Sequence, residues 1–305
     1  MMKSFTNFGT LALAISLVSS AVVVAQPAEF CRFAPENDYK IPVGTHFKRG
    51  AGIDEKTYNT MIDQVENFYQ PIVKLQGAVL KINRMWSTDT VNSTAHQSGK
   101  KWYVDAYGGL ARYPIMTADA ESAVLCHEMG HHLGGFPKGK GIFGSSWASN
   151  EGQADYFATM KCFRRVHEND DNTGIMASVA IPKEVKIGCE NSFKSTKDIA
   201  LCNREAMAGQ VLAQILYELG HGSKAVSGEP DTAPSFGTPS ISQAAATDDA
   251  HPLAQCRLDT YFNGSICGMA ATDDFGQKEG STGACAEEKH DKIGFRPRCW
   301  YKPKL

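Results

Sequence analysis

Residues Leu125–Gly135 read LCHEMGHHLGG and contain the pattern HExxH. In an α-helix, residues four apart lie on one face about a turn from each other, so His127 and His131 can bind the same metal ion. Glu128 follows the first histidine and points away from this axis, which suits it to a metal-bound water better than to the metal. The stretch therefore predicts a helical metal site with a general base beside it.

The sequence on either side of this motif favours a helix. Thr117 and Asp119 are candidate N-caps in front of an alanine-rich apolar run. Gly134–Gly135 follows the second histidine and supplies a C-terminal stop. We therefore predict one helix that begins near Thr117 and ends at the glycine pair.

A catalytic zinc site needs three protein ligands and one open position. Glu151 is the candidate third ligand, because it follows His131 after a loop rich in glycine and serine and begins a second stretch with helical apolar spacing. Asp155 lies four residues later on the same helix face. There its carboxylate can accept the outer ring N–H of a ligand histidine and fix the tautomer of that ring.

HExxH followed by ExxxD resembles the gluzincin metallopeptidases. The form Glu151-x-x-Ala154-Asp155 is most similar to the family of the CAAX prenyl proteases and the HtpX-like proteases, and Asp249–Leu258 is similar to the HPxxxxR segment of the latter. The resemblance implies an α+β, zincin-like fold: a small upper β-sheet with helices, a helical lower lobe, and zinc in the cleft between them.

The resemblance also implies roles for individual residues. His127, His131 and Glu151 would bind Zn²⁺, and Glu128 would act as general base on the bound water. Pro252 favours the first turn of a helix and places His251 at its N-terminal edge, where the imidazole can stabilise an oxyanion. His221 is the alternative for that role, which we expect less than His251. Arg257 can anchor that helix or pair with a carboxylate, and the resemblance does not decide between these two roles.

The function expected from these motifs is an exported zinc-dependent endopeptidase that acts on peptide or protein substrates. One alternative is a narrowly selective or self-processing peptidase, and another is a metallopeptidase-like binding protein without hydrolytic activity. A metzincin is the lesser alternative, because the last position of its HExxHxxGxxH pattern is Pro137 here, and proline has no ligand atom.

The N-terminus favours export. The apolar run Leu11–Ala25 is shorter than the roughly 20 residues that span a bilayer, and Val23–Ala25 suits a signal peptidase. We expect a signal peptide at 1–25, a metallopeptidase domain at 26–262 and a cysteine-rich extension at 263–305. The mature chain would be secreted or periplasmic, with no membrane span. A net charge of −2 argues against nucleic acid as the main partner, and the oligomeric state stays open.

Nine cysteines follow the expected cleavage point, which suggests up to four disulfides and one further thiol in an oxidising compartment. Cys126 is expected to be a small buried side chain or to pair with Cys162, and Cys31 is a remote candidate for a thiolate that caps the zinc. Proximity along the chain suggests three more pairs: Cys189–Cys202, Cys256–Cys267 and Cys285–Cys299.

Three other segments have clear periodicity. Helical spacing from Asp54 predicts a helix that ends at Pro71, and the stretches 79–86 and 101–107 predict strands. In gluzincins an edge strand before the metal helix pairs with the substrate. By that resemblance, the strand Trp102–Tyr107 is expected at the sheet edge, with an ordinary core strand as the alternative.

Overall fold

The computed structural model describes residues 30–45, 50, 52–141, 144–222 and 229–303. Helices and a small sheet share one main core, which confirms the α+β class. The predicted signal peptide lies outside the described residues. No helix within the described ranges is long and apolar enough to cross a membrane.

The main sheet contains four strands in the order β1-β3-β4-β2. They are β1 (Cys31–Arg32), β2 (Val79–Met85), β3 (Ser93–Ser98) and β4 (Lys101–Tyr107). β2 and β4 are parallel, whereas β3 is antiparallel to both β4 and β1. The two strands predicted from periodicity are thus present.

The predicted position of β4 at the sheet edge is wrong, because β3 and β2 pair with its two sides. The edge strands of this sheet are β2 and the two-residue β1, which pairs with the outer side of β3. β3 was not predicted, since its sequence STAHQS lacks alternating apolar residues.

Helix α1 (Glu55–Leu75) packs against this sheet. Asp54 caps its N-terminus by accepting a hydrogen bond from the backbone N–H of Thr57 at 2.8 Å, as expected of an N-cap. The predicted stop at Pro71 is wrong, because the helix continues for another turn. Val73 in that turn is fully buried, and its packing against the core offsets the backbone hydrogen bond that proline cannot donate.

The short helix α2 (Gly108–Ala111) leads into the metal-motif helix α3 (Ala118–Leu133). Thr117 caps α3 by accepting a hydrogen bond from Ala120 N, and Gly134 ends it, both as predicted. Almost the whole of α3 is buried, because the sheet and several other helices surround it.

The predicted loop after α3 contains a hairpin, and helical segments follow it. The hairpin strands are β5 (Lys138–Gly141) and β6 (Gly144–Ser149). The further elements, in chain order, are α4 (Glu151–Phe157), a π-helical segment (Ala158–Phe163), α5 (Arg164–Val166), α6 (Asn172–Met176), α7 (Lys183–Ser192), α8 (Thr196–Gly222), α9 (Ala254–Ser265) and a 3₁₀ turn (Glu287–Lys289).

Four disulfides form among the cysteines. Cys126–Cys162 and Cys189–Cys202 are as predicted. The two other proposed pairings are wrong, because the bonds are Cys256–Cys299 and Cys267–Cys285. Proximity along the chain did not predict these two pairs, because the residues after 263 fold back over α9 and bring Cys299 to Cys256.

The C-terminal residues 263–303 pack against the helix that carries Glu151. The indole ring of Trp300 is fully buried against Gly152, and Arg296 donates a hydrogen bond of 2.6 Å to the Gln153 side chain. A Cβ on Gly152 would lie 2.3 Å from that ring, so only glycine allows this approach. The cysteine-rich part therefore supports the position of α4.

Candidate metal centre

The structure brings His127, His131 and Glu151 together in one buried group. The Nε2 atoms of the two histidines are 3.1 Å apart. Glu151 Oε2 lies 3.3 Å from His127 Nε2, and Glu151 Oε1 lies 3.6 Å from His131 Nε2. A tetrahedral ion bound at about 2.0–2.2 Å keeps its ligand atoms roughly 3.3–3.6 Å apart. Two of the three separations fall in this range and the Nε2-to-Nε2 distance is slightly shorter, so the three side chains are placed where they could hold a cation.

The outer nitrogens of both histidines have acceptors. His127 Nδ1 lies 2.8 Å from Asp155 Oδ1, and His131 Nδ1 lies 2.8 Å from the Ser149 carbonyl oxygen. A carbonyl or an ionised carboxylate only accepts, so both Nδ1 atoms must carry the proton. In the neutral rings both Nε2 lone pairs then face the same point. A cation between them satisfies both lone pairs.

Burial and neighbouring charges shift the pKa values of the three clustered side chains in different directions. Burial by itself lowers the pKa of His127, but the Asp155 carboxylate outweighs it and raises that pKa to about 9. Burial lowers the pKa of His131 to about 4. Burial raises the pKa of Glu151, but His251 and the ligand histidines outweigh it and hold that pKa below its usual value. Glu151 is therefore ionised at neutral pH.

Glu128 is fully buried beside this group and is not part of it. Neither of its carboxylate oxygens makes a hydrogen bond of normal geometry within the described residues, although the Ser93 side chain is near enough to act on its pKa. Burial raises its pKa to about 8. A buried carboxylate without such hydrogen bonds is costly for a fold, so this one is better explained by a functional role than by a contribution to stability.

Asp155 is the acceptor for a larger set of donors. Arg257 donates to Oδ2 through Nε at 2.7 Å and to Oδ1 through Nη2 at 2.6 Å. The Tyr261 hydroxyl donates to Oδ1 at 2.6 Å. Burial raises the pKa of Asp155, but Arg257 and His127 outweigh it, so the pKa stays below its usual value.

These contacts confirm that Arg257 pairs with a carboxylate, one of the two roles considered for it, and identify that carboxylate as Asp155. Tyr261 was not predicted. Both lie on α9, four residues apart and therefore on one helix face, which is the only signal that the sequence offered.

His251 lies next to the ligand group, three residues before α9 begins. Its Nε2 atom is 3.4 Å from Glu151 Oε2 and 2.7 Å from the carbonyl oxygen of Arg32. The helix begins at Ala254, two residues later than the sequence indicated. His221, the alternative, lies at the end of α8, is exposed, and contacts the Tyr217 carbonyl oxygen at 3.0 Å.

Two other sequence candidates do not join the group. Within the described residues, the clustered ligand atoms belong to His127, His131 and Glu151, and Cys31 is not among them. Pro137, at the last metzincin position, follows Phe136 through a cis peptide bond, and Glu151 is the third residue of the group.

A second catalytic-looking arrangement lies on the opposite side of α3. Ser122 Oγ is 2.8 Å from His167 Nε2, and His167 Nδ1 is 2.8 Å from Asp170 Oδ2. Ser122 and His167 have no solvent exposure, and Arg204 pairs with Asp170 at 2.8 Å. A substrate cannot reach this serine, so the three side chains serve to join α3 to the segment after α5.

A cavity of about 690 Å³ lies beside the C-terminal end of α3. The imidazole of His132 stacks between the indoles of Trp102 and Trp147 at this cavity, with ring centroids 5.1 and 4.9 Å away. None of the three candidate ligands lines it, whereas Gln97 of β3 does. The cavity thus adjoins β3 rather than the ligands themselves.

Comparison with known proteins gives no match: no family model, curated protein or solved structure is similar enough to this chain to align with it.

Proposed function

We propose that this chain is a zinc-dependent endopeptidase of the gluzincin type. The observation that carries the proposal is the convergence of the two Nε2 atoms and the Glu151 carboxylate beside the buried Glu128. The donor set of two imidazoles and one carboxylate is that of catalytic zinc sites, in which a fourth position stays open. Bound there, zinc would polarise the substrate carbonyl and lower the pKa of a bound water towards neutral.

Each protein group has a distinct task in this proposal. Glu128 accepts a proton from the attacking water and transfers it to the leaving amine, a role that its burial beside the three candidate ligands supports. His251 donates a hydrogen bond from Nε2 to the oxyanion of the tetrahedral intermediate. Its contact with the Arg32 carbonyl oxygen supports this role, because a substrate carbonyl oxygen is the same kind of acceptor.

The remaining polar groups hold the ligands in place. Asp155 orients His127 and raises its basicity, and Arg257 and Tyr261 hold Asp155. The Ser149 carbonyl orients His131. Such outer contacts matter to a metal site because they fix which imidazole nitrogen faces the ion.

The arrangement of helices and strands around the site also supports the proposal of a zincin-like fold. The HExxH helix α3 lies against a sheet whose strand β3 is antiparallel to its neighbour β4, and a second helix, α4, supplies the third ligand. A peptide that added to β3 would gain affinity from backbone hydrogen bonds, which tolerate different sequences.

The test compares the parent chain from Gln26 onward with its Glu128→Gln variant. Zinc content and cleavage of a mixed peptide library are measured for both proteins. We expect the variant to retain zinc and to lose cleavage, since glutamine keeps the shape of the site without the base. Equal cleavage by parent and variant would contradict the role of Glu128. A protein that binds zinc but does not cleave the library, whether intact or after its chain has been cut near the N-terminus by a site-specific protease, would favour a binding protein without hydrolytic activity.

A further inference from the structure

The N-terminal segment Phe30–Ala34 lies on the edge of the sheet next to the candidate metal centre. Within it, β1 is antiparallel to β3, with Cys31 opposite Ala95 and Arg32 opposite Thr94. The backbone N–H of Phe33 donates to the Ser93 carbonyl oxygen at 3.1 Å. This segment therefore takes the backbone partners that β3 would otherwise offer to another extended chain.

The segment also contacts three residues of the candidate site. The Phe33 ring meets the imidazole of His127 edge-on, with centroids 5.4 Å apart. The Arg32 carbonyl oxygen accepts the hydrogen bond from His251 at 2.7 Å, and the Phe33 carbonyl oxygen accepts one from Arg257.

With this segment in place, the candidate site is closed to large molecules. His127, Glu128 and His131 have no solvent exposure, and Glu151 is 7% exposed. A peptide bond must come within reach of Glu128 to be hydrolysed by the proposed mechanism. No part of an extended substrate can pair with Ser93–Ala95 while residues 31–33 occupy those positions.

We propose that Phe30–Ala34 is an internal blocking segment that occupies the position of an extended peptide substrate along β3. This inference rests on the proposed endopeptidase function and adds its regulation. The Arg32 carbonyl oxygen occupies the place of a substrate carbonyl at His251, and the Phe33 side chain fills the space beside His127. The intact chain cleaves slowly, and displacement of the segment opens the site.

The covalent link makes the block effective. A segment attached to the same chain competes at an effective concentration of about millimolar, which a substrate at micromolar concentration cannot match. Cutting the chain after the segment converts the block into an ordinary inhibitor that dilution removes. Glu36 is exposed just beyond the buried Phe33 and Ala34, so a cut there leaves these contacts intact until the segment dissociates.

The test uses a recognition sequence for a site-specific protease, inserted after Glu36 and cut after the protein has folded. The matched control carries the same insertion after the exposed Ser178, far along the chain from the segment. Mass spectrometry establishes that the segment has left, and zinc content is measured before and after cutting. We expect cutting after Glu36, and not after Ser178, to raise library cleavage at least tenfold.

A second measurement does not depend on hydrolysis. A fluorescent peptide with the sequence of residues 26–36 is titrated onto the Glu128→Gln form, in which the same cut has been made and the segment removed. We expect saturable binding to this form, binding at least tenfold weaker with a Phe33→Ala peptide, and none to the uncut form. On the active cut enzyme, the same peptide should raise KM without changing kcat.

Three outcomes would overturn the proposal. The first is that the uncut protein cleaves the library as fast as the cut protein. In that case the blocking segment is wrong, but the endopeptidase function is supported. The second is absence of peptide binding to the cut form. The third is self-cleavage within residues 30–34 when zinc is added, since a segment that is hydrolysed is a substrate and not a block. A different result separates the two proposals. If the peptide binds to the zinc-loaded protein after cutting but this protein hydrolyses nothing, the endopeptidase function is wrong, whereas the proposal that the segment occupies β3 is supported.

Discussion

Arg257 and Asp155 form a fully buried bidentate pair, with nitrogen-to-oxygen distances of 2.7 and 2.6 Å. Asp155 in turn accepts the Nδ1–H of His127. The pair links α9 to the ligand histidine of α3 through α4. Arg257, for which the sequence left helix anchoring and a carboxylate partner open, is thereby connected to the candidate metal site through a single carboxylate.

Replacing Arg257 by lysine should weaken zinc binding. Lysine cannot reproduce the two parallel hydrogen bonds, so Asp155 would hold His127 less firmly. Loss of such outer contacts lowers metal affinity by about 10–100-fold. Tyr261→Phe removes the hydrogen bond that the hydroxyl donates to Asp155 and the one that it accepts from Arg257. One such bond is worth about 1 kcal/mol, so zinc affinity should fall by about fivefold or more. A competition titration against a chromogenic chelator measures both dissociation constants.

The control for this series is Asp63→Asn, which breaks an exposed arginine–aspartate pair with Arg84. Exposed pairs contribute little, so its zinc affinity should equal that of the parent. An unchanged dissociation constant in Arg257→Lys would show that the pair does not support the metal site.

Gly130→Ala should damage the site through packing alone. A Cβ at residue 130 would lie 2.8 Å from Cα and from the carbonyl oxygen of Ala154, which are backbone atoms of α4. The two helices that supply the ligands would have to separate. We expect a loss of about 1–3 kcal/mol in unfolding free energy, as overpacking usually costs, together with weaker zinc binding.

Urea unfolding and zinc titration test this prediction, with Gly139→Ala as the control. The nearest atom to a Cβ on Gly139 is 3.8 Å away, which is an ordinary contact. If Gly130→Ala binds zinc and unfolds like the parent, close helix approach is not what limits the site.

The parts of the site that the sequence predicted are those set by local helix geometry. His127 and His131 are four apart, as are Glu151 and Asp155, so the helical repeat alone places each pair on one face. The N-cap at Thr117 and the stop at Gly134 depend on neighbouring residues, and both were predictable for the same reason.

The remaining parts depend on contacts between distant residues. Asp155 and Arg257 are 102 positions apart, and nothing local to either indicates the pairing. β3 is polar, and its strand form comes from pairing with β4 and β1 rather than from its own pattern. The pairing of Cys256 with Cys299 likewise follows from the return of the C-terminal residues over α9.

The Cys126–Cys162 disulfide should be a major source of stability. It ties the metal helix to the segment after α4 and closes a separation of 36 residues. Loop-closure entropy predicts about 3.8 kcal/mol for such a loop and about 2.9 kcal/mol for Cys189–Cys202, which closes 13 residues.

Double serine variants of each pair test this ranking by urea unfolding at neutral pH. We expect the Cys126/Cys162 variant to lose more unfolding free energy than the Cys189/Cys202 variant. A larger loss in the second variant would mean that native-state packing, and not loop length, governs the contribution of these disulfides.

Glu121 should make stability fall as pH rises. Burial raises the pKa of this α3 carboxyl from 4.5 to about 8 in the folded protein. The folded state therefore binds the proton more tightly than the unfolded state, so the contribution is fully present below pH 4.5 and is lost as pH rises through 8. The loss is at most about 1.4 kcal/mol per pH unit across that window.

Glutamine at position 121 cannot ionise, so the Glu121→Gln variant should lack this pH-dependent contribution to stability. We expect the unfolding free energy of the parent, minus that of the variant, to decrease between pH 5.5 and 7.5 in metal-free urea titrations. Other titrating groups cancel in the difference, and Glu190→Gln, at an exposed glutamate, should show no such trend. A difference that stays constant with pH would mean that Glu121 ionises in the folded state as readily as in the unfolded chain, through local opening or water that reaches α3.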